Sequence, residues 1–200
     1  FHMYDLPLKM VRYIILTHDH ADHVKAVGSI SKDLGVPVYA TSLVHKGVSV
    51  NWAVHRKIDQ SLAVNIEKQE TLQIGEFTVT PFNVPHDSTD CVGYSIEYGN
   101  ITFVLVTDCG ETTDEIRSYI SKANYLVLEA NHEPEKLLAG PYPLHLKERI
   151  LGATGHLSNE DCAKAIVSAA PPNLKHVWLC HLSDENNHPE LARKTIENIL

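Results

Sequence analysis

The chain has 200 residues, of which 44% are hydrophobic, and a formal net charge of −8 at pH 7. This length and apolar content suffice for one α/β domain with its own core, and they exclude a small fold that depends on disulfide bonds. The negative charge argues against a protein that holds polyanions through a broad basic surface, although bound divalent cations could attract a polyanion locally.

The first part of the chain predicts a strand, a loop, a helix and a second strand. Residues 11–17 are mostly β-branched or large and apolar, which is typical of a buried strand. Residues 22–34 carry apolar side chains at helical spacing, and Gly35 is a stop signal before a strand over residues 36–40. The stretch that follows favours a helix over residues 43–54, and its role stays open.

The middle of the chain predicts an antiparallel hairpin preceded by another strand. Residues 77–84 alternate apolar and polar side chains and end just before His86. Residues 91–98 and 101–108 are two β-rich runs joined across Gly99-Asn100, a dipeptide that favours a tight turn.

The last part predicts helices alternating with two buried strands, as in an α/β fold. A Pro-rich loop separates the first strand from the helices after it. The predicted elements are a helix over 113–123, a strand over 125–130 that includes Glu129, helices over 144–151 and 158–170, a strand over 176–182, and a helix that begins at Pro189.

Several of these strands end in a side chain that can bind a metal ion, namely His18, His86, Asp108 and His181. Loops at the edge of a rigid sheet hold such side chains in place. The densest cluster is the segment THDHADH, residues 17–23, with three imidazoles and two carboxylates.

Such crowding costs desolvation energy unless a cation pairs with these groups. His18 and His20 can meet one ion if the loop bends, whereas Asp22 and His23 face a neighbouring position. The pattern therefore favours two adjacent metal ions, and the alternative is a solvated polar loop.

The motif His18-Asp19-His20-Ala21-Asp22-His23 resembles the H-x-H-x-D-H signature of the metallo-β-lactamase superfamily. The resemblance implies a four-layer αββα sandwich with two divalent ions, zinc first, with manganese or iron as alternatives. It implies three sets of ligands: His18, His20 and His86 for one ion, Asp22, His23 and His181 for the other, and Asp108 as the bridge.

Two such ions sharing a water lower its pKa from near 16 towards roughly 7, which would give a metal-bridging hydroxide as the nucleophile. Asp22 is counted among the catalytic residues as well as the ligands. Asp108 argues against antibiotic hydrolysis, because the lactamases that name the superfamily generally lack it.

The segment Gly155-His156-Leu157-Ser158, together with Glu129, resembles the phosphodiesterase branch that includes transfer-RNA-processing nucleases. This implies that Glu129 orients His156 and that His156 protonates the leaving oxygen. A histidine tuned by a carboxylate can supply a proton near pH 7. The alternative is that neither residue is catalytic, with Glu129 an exposed glutamate and His156 an ordinary histidine before a helix.

The segments GHLSNEDCA and HLSDENNHPELA are similar to the bacterial YycJ/WalJ family of double-stranded DNA exonucleases. This implies a nucleic acid substrate, DNA first. Asn186, Asn187 and Pro189 lie in the second segment, where substrate contact and a role in helix capping or turn formation are equally open. Lys147 and Arg149 either contact phosphate or are simply solvated.

Two other activities stay open: hydrolysis of a thioester, lactone or small cyclic phosphodiester on the same scaffold, and metal or nucleic acid binding without catalysis. We expect one domain over residues 1–200 that lacks the N-terminal strands of the family, since only residues 1–16 precede the histidine motif.

We expect the remaining histidines to be structural or at the surface: His2, His45, His55, His132, His145, His176 and His188. No apolar run is long enough to span a bilayer and no signal peptide pattern is present, so we expect a cytoplasmic protein without a membrane partner. The four cysteines have no paired spacing, which favours reduced thiols.

Overall fold

The computed structural model describes residues 5–200, so His2 lies outside the described residues. Two β-sheets pack face to face, and helices cover the outer side of each sheet. This is the αββα sandwich that the sequence predicted. No helix within the described part of the chain is both long and apolar enough to cross a membrane.

The first sheet has three parallel strands and is covered by three helices. After a short 3-10 turn at Leu8–Met10, the strands are β1 (Ile14–Ile15), β2 (Val38–Ala40) and β3 (Ala63–Asn65), and the helices are α1 (Ala21–Val24), α2 (Val27–Leu34) and α3 (Ser42–Val50). Val24, Val38 and Val44 are fully buried between these layers. Burial of such side chains stabilises the layer by roughly 1.5–3 kcal/mol each.

The second sheet has six strands in sequential order. They are β4 (Leu72–Ile74), β5 (Phe77–Asn83), β6 (Val92–Tyr98), β7 (Ile101–Val106), β8 (Tyr125–Glu129) and β9 (His176–Cys180). The pairing is antiparallel as far as β7 and parallel from β7 to β9. The carboxyl ends of the last three strands therefore meet at one edge.

Five helices accompany this sheet. They are α4 (Asp114–Ile120), α5 (Pro134–Ala139), α6 (Leu144–Leu151), α7 (Asn159–Ala169) and α8 (Pro189–Ile199). The largest buried cluster includes Ile116 of α4, Leu128 of β8, Ile166 of α7 and Ile196 of α8. Ser158 caps α7 by accepting a hydrogen bond from the Asp161 amide.

The two sheets are joined by apolar contacts and by two hydrogen bonds. The buried hydroxyl of Tyr94 donates to the carbonyl of Leu16 at 2.6 Å, and the amide of Val92 donates to the carbonyl of Thr17 at 3.0 Å. Both bonds lie just before His18. Further along the strands, an open cavity of about 490 Å³ is lined by residues of both sheets, including Ile15 and Ile96.

Some boundaries differ from the sequence prediction. The strand predicted over 11–17 is reduced to β1, because only Ile14 and Ile15 pair with β2. The helix predicted over 22–34 is interrupted between α1 and α2, where Ala26 serves as the N-cap of α2 with no side-chain oxygen to offer.

Other elements were not predicted. The Pro-rich loop contains α5, which begins at Pro134, and the strand β3 lies in the stretch whose role was left open. The helix α3 of that stretch was predicted over 43–54 and ends earlier, at Val50. Proline at the first turn begins a helix because the amide it lacks would have no partner there.

Candidate metal centre

Three neighbouring parallel strands deliver polar residues to one edge of the second sheet. Glu129 is the last residue of β8, Asp108 lies two residues after β7, and His181 directly follows β9. Asp108 and His181 have φ values of 54° and 55°. This left-handed conformation is uncommon for residues other than glycine, and a cluster of such residues is typical of functional sites.

The histidine loop after β1 brings further ligands to the same place. The ligand atoms of His18, His20 and His86 all lie within 4.8 Å of one another. The same holds for Asp22, His23 and His181. The structure thus assembles the two triplets that the sequence predicted, from segments far apart along the chain.

The carboxylate of Asp108 lies between the two triplets. One oxygen, Oδ2, is 3.3 Å from Nε2 of His23. The other, Oδ1, is 3.3 Å from Nε2 of His181 and 3.7 Å from Nε2 of His86. A carboxylate that faces both triplets is placed as a bridging ligand would be.

The donor set fits a divalent cation. Among the described residues, Nε2 of His18 is buried and has no hydrogen-bond partner. Burial, assisted by the neighbouring histidines, lowers the pKa of His18 to about 2, so the ring is neutral and its nitrogen can donate a lone pair. Nδ1 of His20 lies 3.2 Å from Nε2 of His86, so two nitrogens converge beside it. Imidazole and carboxylate groups together suit zinc, iron or manganese.

Glu129 is fully buried and holds two histidines rather than one. Its Oε1 accepts hydrogen bonds from Nδ1 of His156 and from Nδ1 of His181, each at 2.8 Å. Its Oε2 accepts from the amides of Cys109 at 2.6 Å and Leu157 at 3.3 Å. The sequence predicted the bond to His156, but the bond to His181 was missed because nothing local to either residue indicates it.

These bonds decide the charge of Glu129. Burial raises the pKa of Glu129, but the hydrogen bonds from His156 and His181 outweigh burial, and the net pKa is lowered. For His181, burial lowers the pKa, but the nearby carboxylates of Glu129 and Asp108 outweigh burial and raise the pKa to about 9. Glu129 is therefore an ionised carboxylate that fixes the orientation of both rings.

Comparison with known proteins identifies the family. Residues 5–181 match the family model described as a beta-lactamase superfamily domain. The chain belongs to the metallo-β-lactamase superfamily.

Two curated relatives carry nuclease names. The chain is 34% identical to the exodeoxyribonuclease YycJ of Bacillus anthracis over 200 residues, which is all of this chain and 75% of the relative. It is 36% identical to the exodeoxyribonuclease WalJ of Streptococcus pneumoniae serotype 2 (strain D39) over 187 residues, covering 94% of this chain and 69% of that protein.

A solved structure supports the fold. The metallo-β-lactamase fold protein YhfI of Bacillus subtilis superposes with a TM-score of 0.73 at 18% identity, covering all of this chain and 76% of YhfI. Together with the histidine and aspartate cluster, the family makes this chain a metal-dependent hydrolase.

Asp19, in the middle of the superfamily motif, supports the histidine loop instead of facing the ligands. Its carboxylate accepts hydrogen bonds from the Thr89 hydroxyl at 2.6 Å and the Thr89 amide at 3.1 Å. Its carbonyl accepts from the side-chain amide of Asn51 at 2.7 Å. The sequence placed Asp19 in the motif but gave no sign of these partners.

The charged residues of α6 have different surroundings. Arg149 forms a two-pronged ion pair with Asp87, next to His86. Lys147 instead donates to the carbonyl of Leu138 at 2.6 Å. Arg149 thus lies beside the metal centre, whereas Lys147 is tied to α5.

The contacts of Asn187 are structural, since it links neighbouring loops. It is buried, and its side-chain amide donates to the carbonyls of Ala130 and Asn131 and to the side chain of Asn159. Of the two roles left open for this asparagine, the contacts favour local structure. Pro189 begins α8, as predicted.

The other histidines of the described chain are structural or at the surface in most cases. His188 caps α8, His45 lies 3.1 Å from the carbonyl of Val64, and His145 is exposed. His132 is fully buried, and neither ring nitrogen has a hydrogen-bond partner within residues 5–200. All four cysteines are free thiols, as expected.

Proposed function

We propose that this protein is a phosphodiesterase that uses two divalent cations and acts on DNA as an exonuclease. The observation that carries the proposal is the buried carboxylate of Glu129 bonded to both His156 and His181. His181 belongs to a predicted ligand triplet and His156 does not, so His156 would be held as a proton donor directly beside the place where the cations would bind. The exodeoxyribonuclease names of the two curated relatives support the choice of substrate.

We assign the ligands as the sequence predicted them. His18, His20 and His86 would hold one cation, Asp22, His23 and His181 would hold the other, and Asp108, which lies between the two triplets, would serve both. When bound, two such cations acidify a water molecule and polarise the phosphate. The net charge of −8 is then offset where the substrate binds, which confines attraction of the polyanion to the site.

His156 supplies the proton for the leaving group. Hydrolysis forms a P–O bond to a water oxygen and breaks the P–O bond to the departing nucleoside, whose oxygen needs a proton. Nδ1 of His156 donates to Glu129, so the transferable proton is the one on Nε2. No residue of the described chain bonds to this Nε2, so it is free to face a substrate.

The test compares His156→Ala with a control variant, His145→Ala, which changes an exposed histidine on α6. Both are loaded with zinc or manganese and assayed on linear DNA and on a generic thioester. We expect His156→Ala to lower kcat on DNA by about 10²- to 10⁴-fold while the metal content stays the same. We expect the control to match the parent protein.

Two outcomes would contradict the proposal. Turnover of the thioester alone would favour the rival hydrolase activity. A fully metal-loaded protein that binds DNA but cleaves neither substrate would favour the non-catalytic alternative. The cytoplasmic location stays a prediction from the sequence.

A further inference from the structure

An open cavity of about 270 Å³ adjoins the proposed proton donor. His156 and His181 both line it, so it opens directly on the chemistry. Its volume lies just below the roughly 300–1,000 Å³ typical of small-molecule sites. It accommodates a group the size of one nucleoside and is too small for a duplex.

The lining of this cavity is partly aromatic and aliphatic. Tyr142, just before α6, lines the cavity with Leu146 and Ile150 of α6 and with Leu182 after β9. Tyr142 is half-buried, and within the described chain its ring stacks on no other aromatic ring and its hydroxyl has no hydrogen-bond partner. An aromatic ring with an unused face beside a catalytic group is a platform on which a nucleobase can stack.

The same cavity is also lined by a positively charged side chain. Arg149 lines it, and its Nη2 donates to Oδ1 of Asp87 at 3.0 Å while its Nε bonds to the other carboxylate oxygen. That Oδ1 is 3.7 Å from Nε2 of His86. A guanidinium has five N–H groups, so those not bound to Asp87 can donate to a phosphate. Asp87 thus holds Arg149 at the edge of the metal centre.

We propose that this cavity binds the nucleotide on the leaving side of the scissile bond. The proposal rests on the function proposed above and deepens it. His156 protonates the leaving oxygen, so the group that leaves must lie beside His156, where the cavity is. Tyr142 and Leu146 pack against its base or sugar, and Arg149 contacts the backbone phosphate.

The test measures how much each variant gains from a nucleoside leaving group. The substrates are a thymidine dinucleotide and the methyl ester of the same thymidine phosphate, which release alkoxides of similar basicity. The variants are Tyr142→Ala, Tyr142→Phe and, as a control, Leu144→Ala, which changes an exposed residue of α6 outside the cavity. Each is assayed with the cations bound, and thermal unfolding verifies that each is folded.

We expect Tyr142→Ala to lower the ratio of kcat/KM for the dinucleotide to that for the methyl ester by about tenfold to a hundredfold. We expect Tyr142→Phe to restore the ratio, because the ring is kept, and Leu144→Ala to match the parent protein. Inhibition by thymidine monophosphate should weaken in parallel with the ratio.

A parent protein that cleaves both substrates, with the same ratio in Tyr142→Ala, would overturn the cavity assignment and leave the proposed function intact. A parent protein that cleaves no phosphodiester at all would overturn the proposed function, and the cavity assignment with it. A loss in Leu144→Ala equal to that in Tyr142→Ala would overturn the specific role of Tyr142.

Discussion

At the scale of single residues, Glu129 links two functions that are usually considered separately. The same oxygen accepts from a proposed metal ligand, His181, and from a proposed acid, His156. Such bonds fix the tautomer and the orientation of a ligating histidine. We therefore expect any change at Glu129 to affect both cation binding and proton transfer.

We predict that Glu129→Gln weakens binding of one cation and lowers activity together. An amide has one acceptor oxygen, so it cannot accept from both histidines and from the Cys109 and Leu157 amides as the carboxylate does. The expected loss in metal affinity is about 10- to 100-fold. A zinc titration monitored by calorimetry measures this loss in affinity.

The comparison variant for Glu129→Gln is His156→Ala, which should lose activity but keep both cations. If Glu129→Gln bound two cations as tightly as the parent protein, the bond to His181 would have no part in holding the ligand.

At the scale of elements, the segment between α6 and α7 requires a glycine at position 155. A Cβ added to Gly155 would lie 2.2 Å from the carbonyl oxygen of Ile150 and 2.3 Å from that of Arg149. Both are backbone atoms, so the segment must shift. The carbonyl of Gly155 also lies 3.2 Å from Nδ1 of His86 and can accept a hydrogen bond from it, so a shift of the segment would reach the candidate metal centre.

We predict that Gly155→Ala destabilises the protein by about 1–3 kcal/mol, the usual cost of forcing extra volume into a packed region. Gly152→Ala is the matched control, because its added Cβ would lie 3.4 Å from the nearest atoms. Urea unfolding of the two variants measures the difference. Equal stability of the two would show that the segment adapts without cost.

The elements also show what the sequence can predict. Local patterns located α6, with its exact ends, and the start of α8 at Pro189. The ends of β1 depend on which residues pair with β2, and that information is not local. The start of α5 was missed because a proline can either begin a helix or interrupt one.

The same division holds for the site. The side chains of the two triplets were predictable because a dense histidine motif resembles the superfamily signature, and that resemblance implies them. The partners of Asp19 and the cavity around Tyr142 were not, because they require segments that meet only in the folded chain.

At the scale of the whole molecule, the buried thiols make stability depend on alkaline pH. Burial raises the pKa of Cys91, Cys109 and Cys162 well above the ordinary value of 9.0, and that of Cys180 to about 12. The unfolded chain therefore loses these protons at lower pH than the folded chain. The stability they contribute is fully present below about pH 8 and is lost as the pH rises past 9.

We predict that the free energy of unfolding falls from pH 8.5 to 10.5 with a slope that includes the thiols. Each thiol contributes up to about 1.4 kcal/mol per pH unit above its unfolded pKa. Urea unfolding under reducing conditions at several pH values measures the slope. Cys162→Ala should reduce the slope by the contribution of about one proton. An unchanged slope would contradict the burial of this thiol.

The two hydrogen bonds between the sheets have a consequence for motion. The Tyr94 hydroxyl and the Val92 amide fasten β6 to the residues directly before His18, whereas the open cavity lined by Ile15 and Ile96 lies further along the strands. We therefore expect relative motion of the two sheets to pivot about the fastened end. Large displacements at the open end of the sandwich would then correspond to small displacements at the histidines. The distances between the metal-binding side chains, on which cation affinity depends, would change little when the sheets move.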